Sequence, residues 1–132
     1  LEQTLSIIKP DAVERDLSEN IKKIFIKNNL EIKDSKKLQI AKDEAAEFYK
    51  VHQSKPFFND LCAYLSSGPI EVMILEGKNA ISLNRKLMGA TDPIKADKNT
   101  IRKLFGISID KNSVHGSDSE ENASKEISLF FS

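Results

Sequence analysis

The sequence predicts an α+β domain, and three observations carry the prediction. Short β-branched runs alternate with stretches of helical periodicity along the whole chain. The order of these elements does not demand a fully parallel sheet, so a split β-α-β, ferredoxin-like arrangement is compatible. The length of 132 residues suits one domain, spanning 1–132, with no repeat, linker or low-complexity tract.

The elements follow in order. Thr4-Leu5-Ser6-Ile7-Ile8 reads as a strand that ends at Lys9-Pro10, and Pro10-Asp11 is a turn or cap signal. Ile21, Ile24 and Phe25 recur at helical spacing, and Asn28-Asn29 stops that helix. The segment from Leu30 through Ile40 reads as a second strand. Asp43 is expected to cap a helix carrying Ala46, Tyr49 and His52, ended by Lys55-Pro56. A short helix with Phe58, Leu61, Cys62 and Leu65 closes at Ser66-Ser67-Gly68-Pro69. Ile70 to Leu75 reads as a central strand, and Ala80 to Met88 as a helix. Gly89 to Lys98 lacks periodicity and is expected to be a functional loop. Ile107 and Ile109 suggest a short extended piece, and the last strand falls within Asn112 to Gly116. Ser117 and Glu120, at capping-box spacing, open a final helix with Ala123, Ile127 and Phe130 on its apolar face.

Composition narrows the function. Hydrophobic residues make up 39% and charged residues 30%, and the formal net charge is +0. That balance disfavours a general electrostatic grip on nucleic acid or an anionic membrane, but it leaves room for a local basic pocket. No apolar run approaches the roughly 18 residues of a membrane span. The opening Leu1-Glu2-Gln3-Thr4 lacks the basic-then-apolar pattern of a signal peptide. Cys62 is the single cysteine, which fits a reducing cytoplasm, and its apolar helical context predicts a buried structural thiol. Two histidines and one cysteine make a protein-held transition metal improbable. A Gly-rich phosphate loop ending in Lys-Ser/Thr is absent.

His115 carries the chemical interest. It lies between Val114 and Gly116, just before a helix N-terminus whose free N–H groups attract anions, and Gly116 is expected to leave room for a bulky group. Two readings stay open from local context: a hydrogen-bonded turn histidine, or an imidazole that takes a phosphate. Glu126, on the following helix, is either a solvated charge or the acceptor that fixes one tautomer and frees the other nitrogen. Lys9, Arg85 and Arg102 lie far apart in sequence; solvated separately they mean little, but converging they would neutralise phosphates. Phe57 and Phe58 are either core or a base-stacking surface.

The motifs resolve these alternatives. Ser6-Ile7-Ile8-Lys9-Pro10-Asp11-Ala12-Val13 resembles the opening motif of nucleoside diphosphate kinases, and Asn112-Ser113-Val114-His115-Gly116-Ser117-Asp118-Ser119 resembles their active-site signature. Pro56-Phe57-Phe58, Leu75-Glu76-Gly77, Met88 to Pro93 and Thr100-Ile101-Arg102 fall between them in the family's order. The resemblance implies a ferredoxin-like four-stranded antiparallel sheet with additional helices. It implies transfer of the γ-phosphate of a nucleoside triphosphate to a diphosphate through a phosphorylated His115, in two half-reactions and with little base specificity. It implies Mg²⁺ carried by the nucleotide phosphates, a homo-oligomer (tetramer or hexamer) and a cytoplasmic location. Matching positions imply the roles. Lys9 would contact the ribose and phosphates, and Asn112 would hold the sugar. Phe57 would stack on the base beside Leu61 and Ile109. His52, Arg85, Thr91 and Arg102 would bind phosphates. Tyr49 would pack beside His115, with Glu126 and Ser117 orienting the imidazole.

Some positions depart from the family pattern. Lys55 stands where Arg is common, Lys98-Asn99 where Pro-Gly is usual, and Asp110 where Gly is common; Asp16 to Asn20 and Lys103-Leu104 also differ. The alternative reading is an inactive paralogue serving as a nucleotide- or protein-binding module. Such a chain is expected to have lost His115, Lys9 or Arg102, and all three are present.

Overall fold

The computed structural model describes residues 1–109 and 111–131. Its centre is an antiparallel sheet in the order β2-β3-β1-β4, built from β1 (Glu2–Ile8), β2 (Glu31–Leu38), β3 (Ile70–Gly77) and β4 (Val114–Gly116). This is the split β-α-β order that the sequence suggested. β1 and β3 occupy the middle, which explains their near-continuous burial.

Alternation along these two strands feeds two cores. Leu5, Ile7, Ile70 and Val72 face one side, against α3 (Lys42–Phe48), α4 (Phe58–Leu65) and α7 (Glu120–Phe131). Ile8, Met73 and Leu75 face the other, against α2 (Ser18–Lys27), α5 (Ala80–Met88) and α6 (Ile101–Phe105). Cys62 is buried in the first core, as expected of a structural thiol. Edge strand β2 carries Lys33, Lys36 and Lys37 at exposed positions, a pattern that discourages uncontrolled edge pairing.

Several local expectations are corrected. Pro10-Asp11 begins a short helix, α1 (Pro10–Glu14), because proline at the first position lacks only an N–H that has no helical partner. A helix also forms at 101–105, where none was expected; the Thr100 hydroxyl caps it by accepting from Lys103 N–H at 3.3 Å. Asp43 lies inside α3; the cap position is Ala41, whose N–H donates to Glu44 at 3.0 Å. Tyr49 ends that helix and His52 sits on the following 3₁₀ turn, so both belong to a bend. Ile107 and Ile109 form no strand: the N–H groups of Ile107 and Ser108 both turn back to the Lys111 carbonyl.

The departing residues fit their backbone. Asp16 and Asn99 adopt φ +60° and +71°, a left-handed conformation that Asp and Asn tolerate better than other non-glycine residues. Asn99 thus does the conformational work of the glycine usual in that place. Lys55 and Lys98 are exposed, and Lys103 Nζ donates to the Ile94 carbonyl at 3.1 Å. Asp110 lies outside the described residues. Among the described residues, no helix is long and apolar enough to cross a membrane.

Candidate active site

β4 is short, and its register decides where His115 stands. Ile7 pairs with His115 and Ile8 with Val114, so the histidine rests against the buried C-terminal end of β1. The turn before it is unusual. Ser113 has φ +77°, and Val114 N–H bonds the Asn112 carbonyl at 3.0 Å, giving a positive-φ γ-turn of the rare, strained kind. Gly116 follows for a steric reason: a Cβ there would stand 2.3 Å from Asn84 Nδ2 and 2.8 Å from Met88 Cε. The space beside Gly116 belongs to α5, which corrects the expectation that it admits a ligand.

Ser117 joins the same construction. Its N–H donates to the Leu5 carbonyl at 3.2 Å, and its hydroxyl accepts from Leu5 N–H at 3.3 Å. That hydroxyl donates to Glu126 Oε1 at 2.8 Å, and His115 Nε2 lies 3.0 Å from the same oxygen. Ser117 is therefore not the cap of α7. Ser119 takes that role, accepting from Asn122 N–H at 3.1 Å. With Nε2 held by the carboxylate, Nδ1 is the ring nitrogen left to act as a nucleophile. Phe48 packs its ring edge against His115, with centroids 4.8 Å apart and planes at 77°.

His115 opens into a cleft of about 720 Å³ lined also by Tyr49, His52, Arg85, Thr91, Arg102 and Glu126. These come from α3, the 3₁₀ turn, α5, the loop after it, α6 and α7, so residues distant in sequence converge on one space. Arg102 is held rigidly: Nη1 donates to the Gly89 carbonyl at 3.1 Å and Nη2 to the Val114 carbonyl at 2.9 Å. Burial, then the neighbouring Arg85 charge, lowers its guanidinium to about 10, with Tyr49 opposing, so it remains a cation at neutral pH. Asp118 also lines the cleft. Its carboxyl is held below the usual range chiefly by the Asn122 amide, which donates at 2.6 Å, with help from Arg85 and His115.

Lys9 and Asn112 form a second group. Lys9 Nζ donates to Asn112 Oδ1 at 2.9 Å, and both residues are buried. Asn112 Nδ2 in turn reaches the Thr91 carbonyl at 3.1 Å and the Ile109 carbonyl at 2.9 Å, which ties this pair to the cleft wall. Phe57 is exposed, its ring 6.1 Å from that of His52. Ile109 is exposed as well, whereas Leu61 packs against the first core.

The anion-attracting feature differs from the one expected. His115 sits on a strand, and the first turn of α7 is already capped and carries Glu120 and Glu121. The positive charge of the cleft comes instead from Arg85 and Arg102, with Lys50 and Lys125 also on its lining. Sequence reasoning passed over Phe48 and Asp118. Phe48 lies in the apolar stripe of α3 and gave no local sign of a histidine neighbour; Asp118 stood inside the signature motif itself.

Comparison with known proteins agrees with this geometry. The model of the family described as nucleoside diphosphate kinase matches residues 2–132. The chain is 56% identical to the nucleoside diphosphate kinase of Nitratiruptor sp., over 99% of this chain and 96% of that one. It is 54% identical to that of Granulibacter bethesdensis, over 99% and 94%. A solved structure of the Aquifex aeolicus nucleoside diphosphate kinase superimposes with a TM-score of 0.97 at 42% identity, covering 99% of this chain and 95% of that one. Matched by that family's model over residues 2–132 and more than half identical to enzymes of that name, the chain belongs to the nucleoside diphosphate kinase family, whose members move a phosphoryl group between nucleotides.

Proposed function

We propose that the chain works in two half-reactions through His115. Nδ1 attacks the γ-phosphorus of a nucleoside triphosphate, the bond to the bridging oxygen breaks, and the diphosphate leaves. A second nucleoside diphosphate then attacks the phosphohistidine and restores the imidazole. The observation that carries this reading is the 3.0 Å contact of His115 Nε2 with Glu126, which leaves Nδ1 free at the cleft. Glu126 accepts a hydrogen bond from Nε2–H and stabilises the ring as positive charge develops, while Ser117 keeps the carboxylate in place. Arg85 and Arg102 balance the charge on the transferring group, and His52 and Thr91 add polar contacts along the same wall. Tyr49 closes the cleft beside Arg102.

Lys9 and Asn112 serve the ribose and the phosphates that follow it. Phe57 offers an exposed ring for a base, with Leu61 and Ile109 as apolar neighbours; a ring face reads no base edge, so broad base tolerance follows. Mg²⁺ is the cofactor of this reading; carried on the nucleotide, it would supply positive charge to the phosphates. Among the described residues no group of three or more His, Cys, Asp or Glu side chains could hold a metal. A cation that keeps its waters and binds mainly to substrate phosphates fits such a cleft.

The chain acts as one domain, in the cytoplasm, as a homo-oligomer. Ile94, Leu104, Ile107 and Ile109 are all more than half exposed within one segment, which supports contact between subunits there. This reading admits a tetramer or a hexamer, and solution mass separates them.

Mixing the protein with ATP and no acceptor is expected to release one ADP per active site at once. Release that waits for an acceptor diphosphate contradicts the two-step route.

A further inference from the structure

The strained Ser113 turn lies under a buried hydrogen-bonded cluster that no step above uses. Asp11, whose side chain is 3% exposed, accepts from the Ser113 hydroxyl at 3.1 Å and from Arg15 Nη2 at 3.1 Å. It also accepts from the Tyr64 hydroxyl, which in turn accepts from Asp11 N–H at 2.9 Å. Burial, then the bond to Asp11, pushes the Tyr64 phenol far above its usual range, so it stays a neutral donor. Arg15 extends the cluster to the Phe105 carbonyl at the end of α6 and to Ser113 Oγ at 3.4 Å. Lys9 N–H takes the Ser113 carbonyl at 2.8 Å.

Among the described residues, every hydrogen-bonding group that grips Ser113 from outside its own turn thus comes from α1 or the residue on either side of it. The residue so gripped is fully buried and holds a backbone conformation that L-residues avoid. Two residues later stands His115, whose ring must meet Glu126 and leave Nδ1 toward the cleft. A surrounding structure that over-determines a strained residue is the condition for such strain to persist.

We propose that Asp11 is a positioning residue for the phosphoryl-carrying imidazole: its carboxylate holds Ser113 in the left-handed turn that sends the chain into β4 and so sets His115 against Glu126. The inference rests on His115 being the carrier. Asp11 touches no reacting atom in this scheme. It acts through Ser113, and the dependence should vanish where the left-handed turn needs no enforcement.

The test is a double-mutant cycle on the full chain, reading single-turnover phosphorylation of the protein by ATP. Asp11→Asn keeps the size of the side chain but weakens the cluster; it is expected to slow phosphorylation about 10- to 100-fold, the scale of a small misplacement. Nucleotide affinity is expected to change far less. In a Ser113→Gly background, where glycine takes φ +77° without strain, the same Asp11→Asn change is expected to cost less than about 3-fold. Long-range ¹H–¹⁵N spectra of the His115 ring are expected to show one tautomer in the wild type and a mixture in Asp11→Asn. If Asp11→Asn lowers thermal stability but leaves the phosphorylation rate and tautomer unchanged, the cluster is only a structural staple and the proposal is overturned. An equal penalty in both backgrounds overturns it too, because the effect then does not pass through Ser113. Wild-type protein that never accumulates phosphohistidine refutes the carrier reading instead, before any variant is compared.

Discussion

Glu126 Oε1 receives two groups at once, the Ser117 hydroxyl at 2.8 Å and His115 Nε2 at 3.0 Å. A single oxygen therefore links β1, through Ser117, to the nucleophilic ring. A carboxamide oxygen placed there can still accept from both, but it lacks the negative charge that steadies the imidazole as it becomes cationic. Glu126→Gln is expected to reduce the phosphorylation rate by about 10²- to 10⁴-fold, the usual scale of acid–base support, with little change in nucleotide affinity. Rapid-quench measurement separates the two effects; a loss seen only in affinity contradicts the orienting role.

Arg102 reaches two backbone carbonyls that lie 13 and 12 residues away, Gly89 and Val114. Lysine presents a point charge and cannot copy that planar fork. Arg102→Lys is expected to cost about 1–3 kcal/mol of stability by leaving a buried acceptor unpaired, and to weaken phosphoryl transfer as well. Urea unfolding and steady-state exchange measured on the same preparation check this. Normal stability in the variant would show that the two carbonyls do not depend on the guanidinium.

Phe57 is exposed, its ring 6.1 Å from that of His52, and a ring face reads no base edge. Phe57→Ala is expected to weaken binding by about 1–3 kcal/mol for every base if stacking dominates. Titration with the diphosphates of all four common bases tests this. A loss confined to one base contradicts base-blind stacking.

Away from the cleft, Lys22 on α2 pairs with the buried Glu71 of β3. The bond to Glu71 is the main cause that raises the Lys22 ammonium above its usual 10.5, against the opposing effect of burial. A raised folded value means that the contribution is complete below pH 10.5 and is lost as pH climbs through the higher value. Lys22→Met is expected to lose about 1–3 kcal/mol at neutral pH, less than a fully buried pair because the ammonium is partly exposed. The gap between wild type and variant should narrow at strongly alkaline pH. A gap independent of pH would mean that packing, not charge, makes the difference.

The fold was legible where one periodicity covered a whole element. Ile70 to Leu75 announced a central strand because nearly every residue is apolar, and Ala80 to Met88 a helix because its apolar residues recur at helical spacing. The five-residue helices α1 and α6 were not legible, since they are too short to carry a repeat and depend on caps and neighbours. The site residues were nameable from motif spacing, but their partners were not. The contact of His115 with Phe48 and the grip of Asp11 on Ser113 cross 67 and 102 residues, and tertiary packing alone creates them. Ser117 shows the limit most clearly: its spacing to Glu120 suggested a helix cap, yet the strand pairing of Ser6 with Gly116 carries it back to Leu5 and Glu126 instead.

The most direct measurement is covalent. Wild-type protein and His115→Ala, each shown to be folded by circular dichroism, are incubated with γ-labelled ATP and separated from nucleotide. Acid-labile, alkali-stable label is expected on the wild type at about one phosphate per chain, and none on the variant. Label retained by His115→Ala, or absent from the wild type, contradicts His115 as the carrier of the phosphoryl group.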